Sequence, residues 1–410
     1  MLRRMGEPTT DTSAKTRWGI AWVAIGAGIV CGMQVGKAPP MISGIRDTLG
    51  IDLVGAGFYM SIINGLAVAI GIIAGVFADQ IGRRRAVTLG LLGIIAGNLM
   101  GALADSASVM YASRILEAVG FVSIVTAVPG LLSELVAQKD QRSALSAWSI
   151  YMPAGFCVMM AAAPLLASQE DWRLIWWLNG VLVALFLMLF LTATRGIGGR
   201  PRQARSLSGL RAVASRPGPW LLGLIFMSYT TQWFGVLTWM PTIMEQAGLS
   251  TADAGLGVAL VVGANMAGCL GSGPLLNFGL ARWKIVVACS LTLSVLAFGI
   301  YDPTLSPTLR LLLAALFSAI GGLIPGAVLA GAPMHSPGAS NIGTTNGVIV
   351  QCTNLGSLLG PPAVAWLAVQ AGGDFGAARW LVLAAGLTGT LLAFTLRTVE
   401  HRMQTETTAR

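Results

Sequence analysis

Residues 75–85 read GVFADQIGRRR, and the fold turns on what an aspartate, spaced glycines and three arginines do between two apolar runs. The run before this stretch begins near residue 54 and the run after it ends near residue 104. Each is long enough to cross a bilayer as a helix, which takes roughly 20 mainly apolar residues. Asp79 then sits at the C-terminal end of its helix, where the helix dipole is negative and a carboxylate needs a cation or another helix's N-terminus beside it. Gly82 permits a sharp reversal, and Arg83, Arg84 and Arg85 mark one membrane face. Ordinary topology accounts for the arginines; it does not account for Gly75, Asp79 and Gly82.

The rest of the chain agrees with a membrane. Of 410 residues, 55% are hydrophobic and only 10% charged, with mean hydropathy +0.73. A soluble domain carries about 25% charged residues, so this chain cannot cover a water-facing surface. Its 52 glycines suit closely packed membrane helices. The net charge of +9 does not point to nucleic acid, because the basic residues fall in short gaps between apolar runs. The five cysteines lie inside apolar runs with no CxxC and read as packing residues. No cleavage site follows the first apolar run, so residues 1–17 read as a retained tail and not a signal peptide. No nucleophile elbow, phosphate-cradling loop, nucleotide site or metal constellation is present. The sequence therefore predicts no enzyme, no cofactor and no bound metal, and any work must draw on a gradient.

Twelve apolar runs are expected to span: 18–43, 54–78, 86–104, 107–135, 144–167, 172–194, 219–243, 253–278, 283–301, 308–331, 341–370 and 377–397. Lys and Arg set the orientation. With both termini taken as cytoplasmic, twenty of the 26 fall in cytoplasmic gaps or tails and four in the opposite ones. The remaining two, Lys37 and Arg114, lie inside spans. Residues 195–218 hold six arginines and no acid, and divide the spans six and six. They read as a flexible basic linker held at anionic lipid. The halves repeat: GIDLVGAGF at 50–58 aligns with GLSTADAGLG at 248–257, Gly75 with Gly273, and Asp79 with Asn277. The expected fold is an all-α membrane protein with twelve transmembrane helices in two pseudo-symmetric six-helix bundles, 18–194 and 219–397, and tails at 1–17 and 398–410. Parallel halves of this kind mark one class of secondary transporter, with substrate bound between them.

On these residues the chain resembles the major facilitator superfamily over nearly its whole length. The resemblance implies that Asp79, Arg83 and Arg84, with Gly75 and Gly82, form a cytoplasmic latch between the halves. The second copy, GPLLNFGLARWK, has Asn277 in place of the acid, so a one-sided latch is expected. In the fourth span SRILEAVGF resembles the family's R-x-x-Q/E-G-x-G motif, with Ala118 for the first glycine. Arg114 and Glu117 share a helical face. Glu117 is placed near mid-membrane, where ionisable residues are functional hypotheses by default. In relatives the arginine is implicated in proton coupling; the alternative is a self-neutralising structural pair. The fifth span lacks the glycine motif of drug antiporters, and WSIYMPAG with DWRLIWW looks like the branch near the cyanate and nitroimidazole permeases. Those tend to carry an arginine in the first span, where this chain has Lys37.

Lys37 lies toward the outer half, three residues after Gln34 and just before Pro39 and Pro40. Two readings stay open: a lysine snorkelling to headgroups, or a cation lining a water-filled cavity, paired with Glu117 or with an anionic substrate. In the second half the polar candidates are Tyr229, Gln232 and Trp233 on the seventh span and Asn354 on the eleventh. Each serves equally as substrate contact or as interhelical glue. The expected function is a monomeric, proton-coupled permease in the cytoplasmic membrane, in contact with lipid, moving a small polar or anionic solute by alternating access. The alternatives are a proton-driven exporter, and a membrane receptor or scaffold that binds without transport.

Overall fold

The computed structural model describes residues 16–148, 150–197, 207–338 and 341–408. The expectations for residues 1–15 and 198–206 lie outside the described residues. Every regular element among the described residues is helical. The first half contains α1 (Trp18–Gly36), α2 (Ile42–Leu49), α3 (Leu53–Ile81), α4 (Arg83–Ala102), α5 (Ala107–Leu135), α6 (Gln141–Trp148), α7 (Tyr151–Leu166) and α8 (Trp172–Ala193). After α9 (Leu207–Ala214) come α10 (Pro217–Gln246), α11 (Thr251–Asn277), α12 (Arg282–Ile300), α13 (Pro307–Gly321), α14 (Leu323–Leu329), α15 (Ala332–His335), α16 (Ile342–Gln370) and α17 (Ala378–Thr408).

Eleven described stretches are long and apolar enough to cross a membrane, and the shorter apolar helix α7 supplies the twelfth span. Large apolar side chains such as Ile73, Leu260, Val295 and Leu391 remain exposed on the outside, as lipid-facing residues are. Several boundaries differ from the sequence reading. Pro39 and Pro40 break the first span, and a 3-10 turn at Pro39–Met41 joins α1 to α2, because proline cannot continue the i to i−4 ladder. The fifth span is divided into α6 and α7. Part of the basic segment is helical, as α9. Past residue 397, where a tail was expected, α17 continues to Thr408.

The internal repeat shows at the turns. Gly50 and Gly248 adopt left-handed backbone, with φ of 65° and 93°. Two residues on, Asp52 and Ser250 cap α3 and α11, accepting hydrogen bonds from the Gly55 and Asp253 amides at 2.6 and 3.1 Å. Such caps satisfy donors that a helix start leaves open. Gly82 and Gly279, with φ of 93° and 83°, follow the next helix of each half.

The halves meet along two seams. In one, α3 lies on α16. A Cβ added at Gly57 would stand 2.7 Å from Pro362 Cα, one at Gly65 2.8 Å from Leu358 Cδ1, and one at Gly71 3.0 Å from Gln351 Nε2. In the other, α7 lies on α11, and Cys157 Sγ donates to the Ala259 carbonyl at 3.3 Å. The Pro39–Met41 turn also packs on α10.

Candidate functional site

The densest buried polar cluster lies inside the first half, where α1, α4, α5 and α8 converge. Two glycines one turn apart on α4 make room for it. A Cβ at Gly97 would stand 2.6 Å from Glu117 Cγ and 2.8 Å from the Ser113 carbonyl, and one at Gly101 would run into the Trp176 ring. With only hydrogen there, α5 and α8 approach α4 closely enough for polar side chains to meet. Gln34, Lys37, Asn98, Arg114 and Glu117 have no solvent exposure.

Glu117 bridges the two cations. Its Oε1 lies 2.5 Å from Lys37 Nζ and its Oε2 2.8 Å from Arg114 Nη1. Lys37 also donates to Asn98 Oδ1 at 2.6 Å and Gln34 Oε1 at 3.0 Å. Arg114 Nη1 donates to the Gln34 carbonyl at 2.6 Å and Nε to the Tyr59 carbonyl at 3.4 Å. Gln34 Nε2 donates to Asn179 Oδ1 at 3.1 Å, and Asn98 Nδ2 to Gln34 Oε1 at 3.0 Å. Aromatic faces complete the shell: Lys37 Nζ is 4.7 Å from the Trp176 ring centroid and Arg114 Cζ 5.1 Å from that of Tyr59, distances at which a ring quadrupole attracts a cation. Charge-assisted bonds are what make a buried ion pair tolerable.

Lys37 therefore neither reaches headgroups nor faces an open cavity in this conformation. It is sealed within one bundle, and its charge meets Glu117. Asn98, Asn179, Tyr59 and Trp176 join the cluster without standing out in the sequence. The readable signal for Asn98 was a lone amide between small residues, GNLMG, in an otherwise apolar span.

The second half carries a neutral counterpart. Gln232 lies 198 residues after Gln34, and its Nε2 donates to the Val382 carbonyl of α17 at 2.8 Å, much as Gln34 reaches α8. Asn265 Nδ2 donates to Tyr229 Oη at 2.9 Å and to the Ser318 carbonyl at 2.8 Å, while Trp233 Nε1 donates to Ser318 Oγ at 3.1 Å. Tyr229 and Trp233 thus share one network; Gln232 turns away to α17, and Asn354 lies apart, half-buried on α16. Phe156 of α7 joins the halves, 5.7 Å between ring centroids from Trp233 and 6.5 Å from Phe234. Its backbone abuts Gly36, next to Lys37.

At the end of the molecule where α3 turns into α4, Gly75 and Asp79 fall on α3, and their side chains lie outside the described residues. Arg83 Nη1 donates to the Gly130 carbonyl at 2.7 Å and to Glu134 Oε1 at 2.8 Å, both on α5. Arg84 Nε donates to Thr194 Oγ1 at 2.9 Å and Nη2 to the Leu191 carbonyl at 3.2 Å. The second copy has its own clamp. Arg282 Nε donates to the Ala327 carbonyl at 2.7 Å, and Nη1 pairs with Glu400 on the extension of α17. His335 Nε2 lies 3.3 Å from the same carboxylate.

Apolar spans in two repeated halves, with a fully buried ion cluster in the first, describe a polytopic membrane protein. The sequence profile of the Major Facilitator Superfamily matches residues 24–361. The chain belongs to that superfamily, and is an integral, multi-pass membrane protein of the secondary-transporter class. It is 24% identical over 294 residues to the cyanate transport protein CynX of Escherichia coli, covering 70% of this chain and 73% of that one. It is 24% identical over 275 residues to a gentisate transporter of Corynebacterium glutamicum, covering 61% and 59%. Among solved structures it superposes on a bacterial homologue of the lysosomal transporter Spinster, inward-facing and unoccupied, with a TM-score of 0.78 at 14% identity over 93% of this chain and 98% of that one. The D-xylose–proton symporter gives a TM-score of 0.68 at 14% identity, covering 92% and 97%. The solved structures bear on the fold; the cyanate relative agrees with the permease branch suggested by the fifth and sixth spans.

Proposed function

We propose that the chain is a proton-coupled permease that moves a small polar or anionic organic solute by alternating access. It works as a monomer in the cytoplasmic membrane with both termini inside. Residues 18–194 and 219–397 are the two moving bodies, and Arg83 and Arg84 belong to the latch at their cytoplasmic end. The observation that carries this reading is the Glu117 carboxylate held between Lys37 and Arg114 with no solvent exposure. A buried acid so placed is a proton site whose occupancy changes how two helices, α1 and α5, are tied. Cyanate and gentisate, named in two relatives, are both small anions and supply the first test solutes. In proteoliposomes with an imposed pH gradient, the wild type accumulates one of them. Glu117→Gln loses accumulation but retains exchange of labelled for unlabelled solute. Accumulation that persists in Glu117→Gln would place the proton site elsewhere.

A further inference from the structure

The three charges of the cluster do not cancel. Lys37 and Arg114 share one carboxylate, and among the described residues no second acid pairs with either. The fully buried cluster therefore holds a net charge of one positive unit.

A donor census shows where the surplus sits. An ammonium has three N–H groups, and those of Lys37 have three acceptors: Glu117 Oε1, Asn98 Oδ1 and Gln34 Oε1. Lys37 has nothing left to offer a ligand. A guanidinium has five N–H groups. Arg114 uses Nε and Nη1, while Nη2 is buried with no hydrogen-bond partner. Tyr59 Oη, from the ring beneath that guanidinium, is also buried and unpartnered. The unmatched charge and the unmatched donor belong to the same side chain.

Now let Glu117 take a proton. The cluster rises to two positive units, with two cations stripped of their common counter-charge, and burying unpaired charge is strongly unfavourable. A single monovalent anion arriving with the proton returns the cluster to the charge it already tolerates. We infer, on the coupling reading above, that the substrate is a monovalent anion whose charged end binds Arg114 Nη2, and that each anion enters together with one proton on Glu117. The proton comes from solvent and rests on a Glu117 carboxylate oxygen; no other bond is made. Lys37 is a positioning residue that falls back on the two neutral acceptors Asn98 and Gln34 when the carboxylate is neutralised. The charged and titratable groups facing Glu117 are Lys37 from α1, Tyr59 from α3 and Arg114 from α5. From α4 and α8 come Asn98, Asn179 and Trp176, which carry no charge.

The test is equilibrium binding to the purified full chain, with formate, lactate and benzoate as probes and benzamide as the neutral control. At least one carboxylate binds and benzamide does not. In the wild type, affinity weakens up to tenfold per pH unit as pH rises, the linkage expected for one proton per anion. In Glu117→Gln the anion still binds and the pH dependence is gone. Arg114→Lys, which keeps the charge and loses Nη2, binds at least tenfold more weakly. No binding by any of the three carboxylates, equal binding of benzamide, or a flat wild-type pH profile each overturns the inference. The pH profile needs no variant, so misfolding of Glu117→Gln does not shelter it. Anion binding without proton linkage overturns this inference alone. Accumulation that survives Glu117→Gln removes the coupling reading beneath it.

Discussion

At the scale of single residues, the buried cluster makes an asymmetric demand on its members. Removing Lys37 leaves Glu117 paired with Arg114 and the cluster neutral. Removing the Glu117 charge leaves two cations that attract nothing in common. Breaking a buried pair by deleting one partner costs about 3–5 kcal/mol, chiefly through the charge left behind. Glu117→Gln should therefore lower the unfolding temperature in detergent markedly more than Lys37→Met, and the double variant should recover part of the loss. If Lys37→Met is as damaging as Glu117→Gln, the surplus positive charge described above is not felt. The sequence exposes four of these residues: a lysine, an arginine and a glutamate inside apolar runs are conspicuous, and Gln34 stands one helical turn before the lysine. It hides Asn98, Asn179 and Tyr59, because uncharged polar groups inside spans usually tie helices together. Only the packing across Gly97 and Gly101 shows which of them meet the charges.

At the scale of elements, the starts of α3 and α11 fall where local chemistry puts them. The repeated Gly50 and Gly248 turns and the Asp52 and Ser250 caps sit 198 residues apart, and that spacing was readable before any coordinates. The end of α17 was not. Residues past 397 follow the last apolar run and read as a tail, and the local pattern does not reveal that Glu400 meets Arg282 on α12 and His335 on α15. Those long-range partners lie at the base of the extension. Glu400→Gln should free residues 398–408, raising their amide hydrogen exchange about tenfold, a change of roughly 1.4 kcal/mol in local opening. Exchange in α12 should stay as it was. Unchanged exchange at 398–408 would show that the extension is helical without this bolt.

At the scale of the molecule, the twelve spans and their six-and-six division followed from hydropathy and basic gaps, which report solvent and little else. How the halves touch did not follow, because Gly57, Gly65 and Gly71 serve α16 by lacking side chains, and absence has no periodic signature. The two halves also differ in kind. Each ties its first helix to its last through a glutamine amide, Gln34 and Gln232, yet among the described residues only the first half holds an ion cluster with no solvent exposure. That difference has an electrical meaning. If the first half rocks in the bilayer, it carries its enclosed positive unit through part of the transmembrane voltage, one way when loaded and back again when empty. A full crossing of one charge is worth about 2.3 kcal/mol per 100 mV, so a tenth of the field amounts to about 0.2. On a solid-supported membrane, a jump in substrate concentration should give a brief displacement current that decays while flux continues and reverses on washout. A sustained current would mean that solute and proton together carry net charge, because a charge fixed in the protein returns with it in every cycle and cannot feed a steady current.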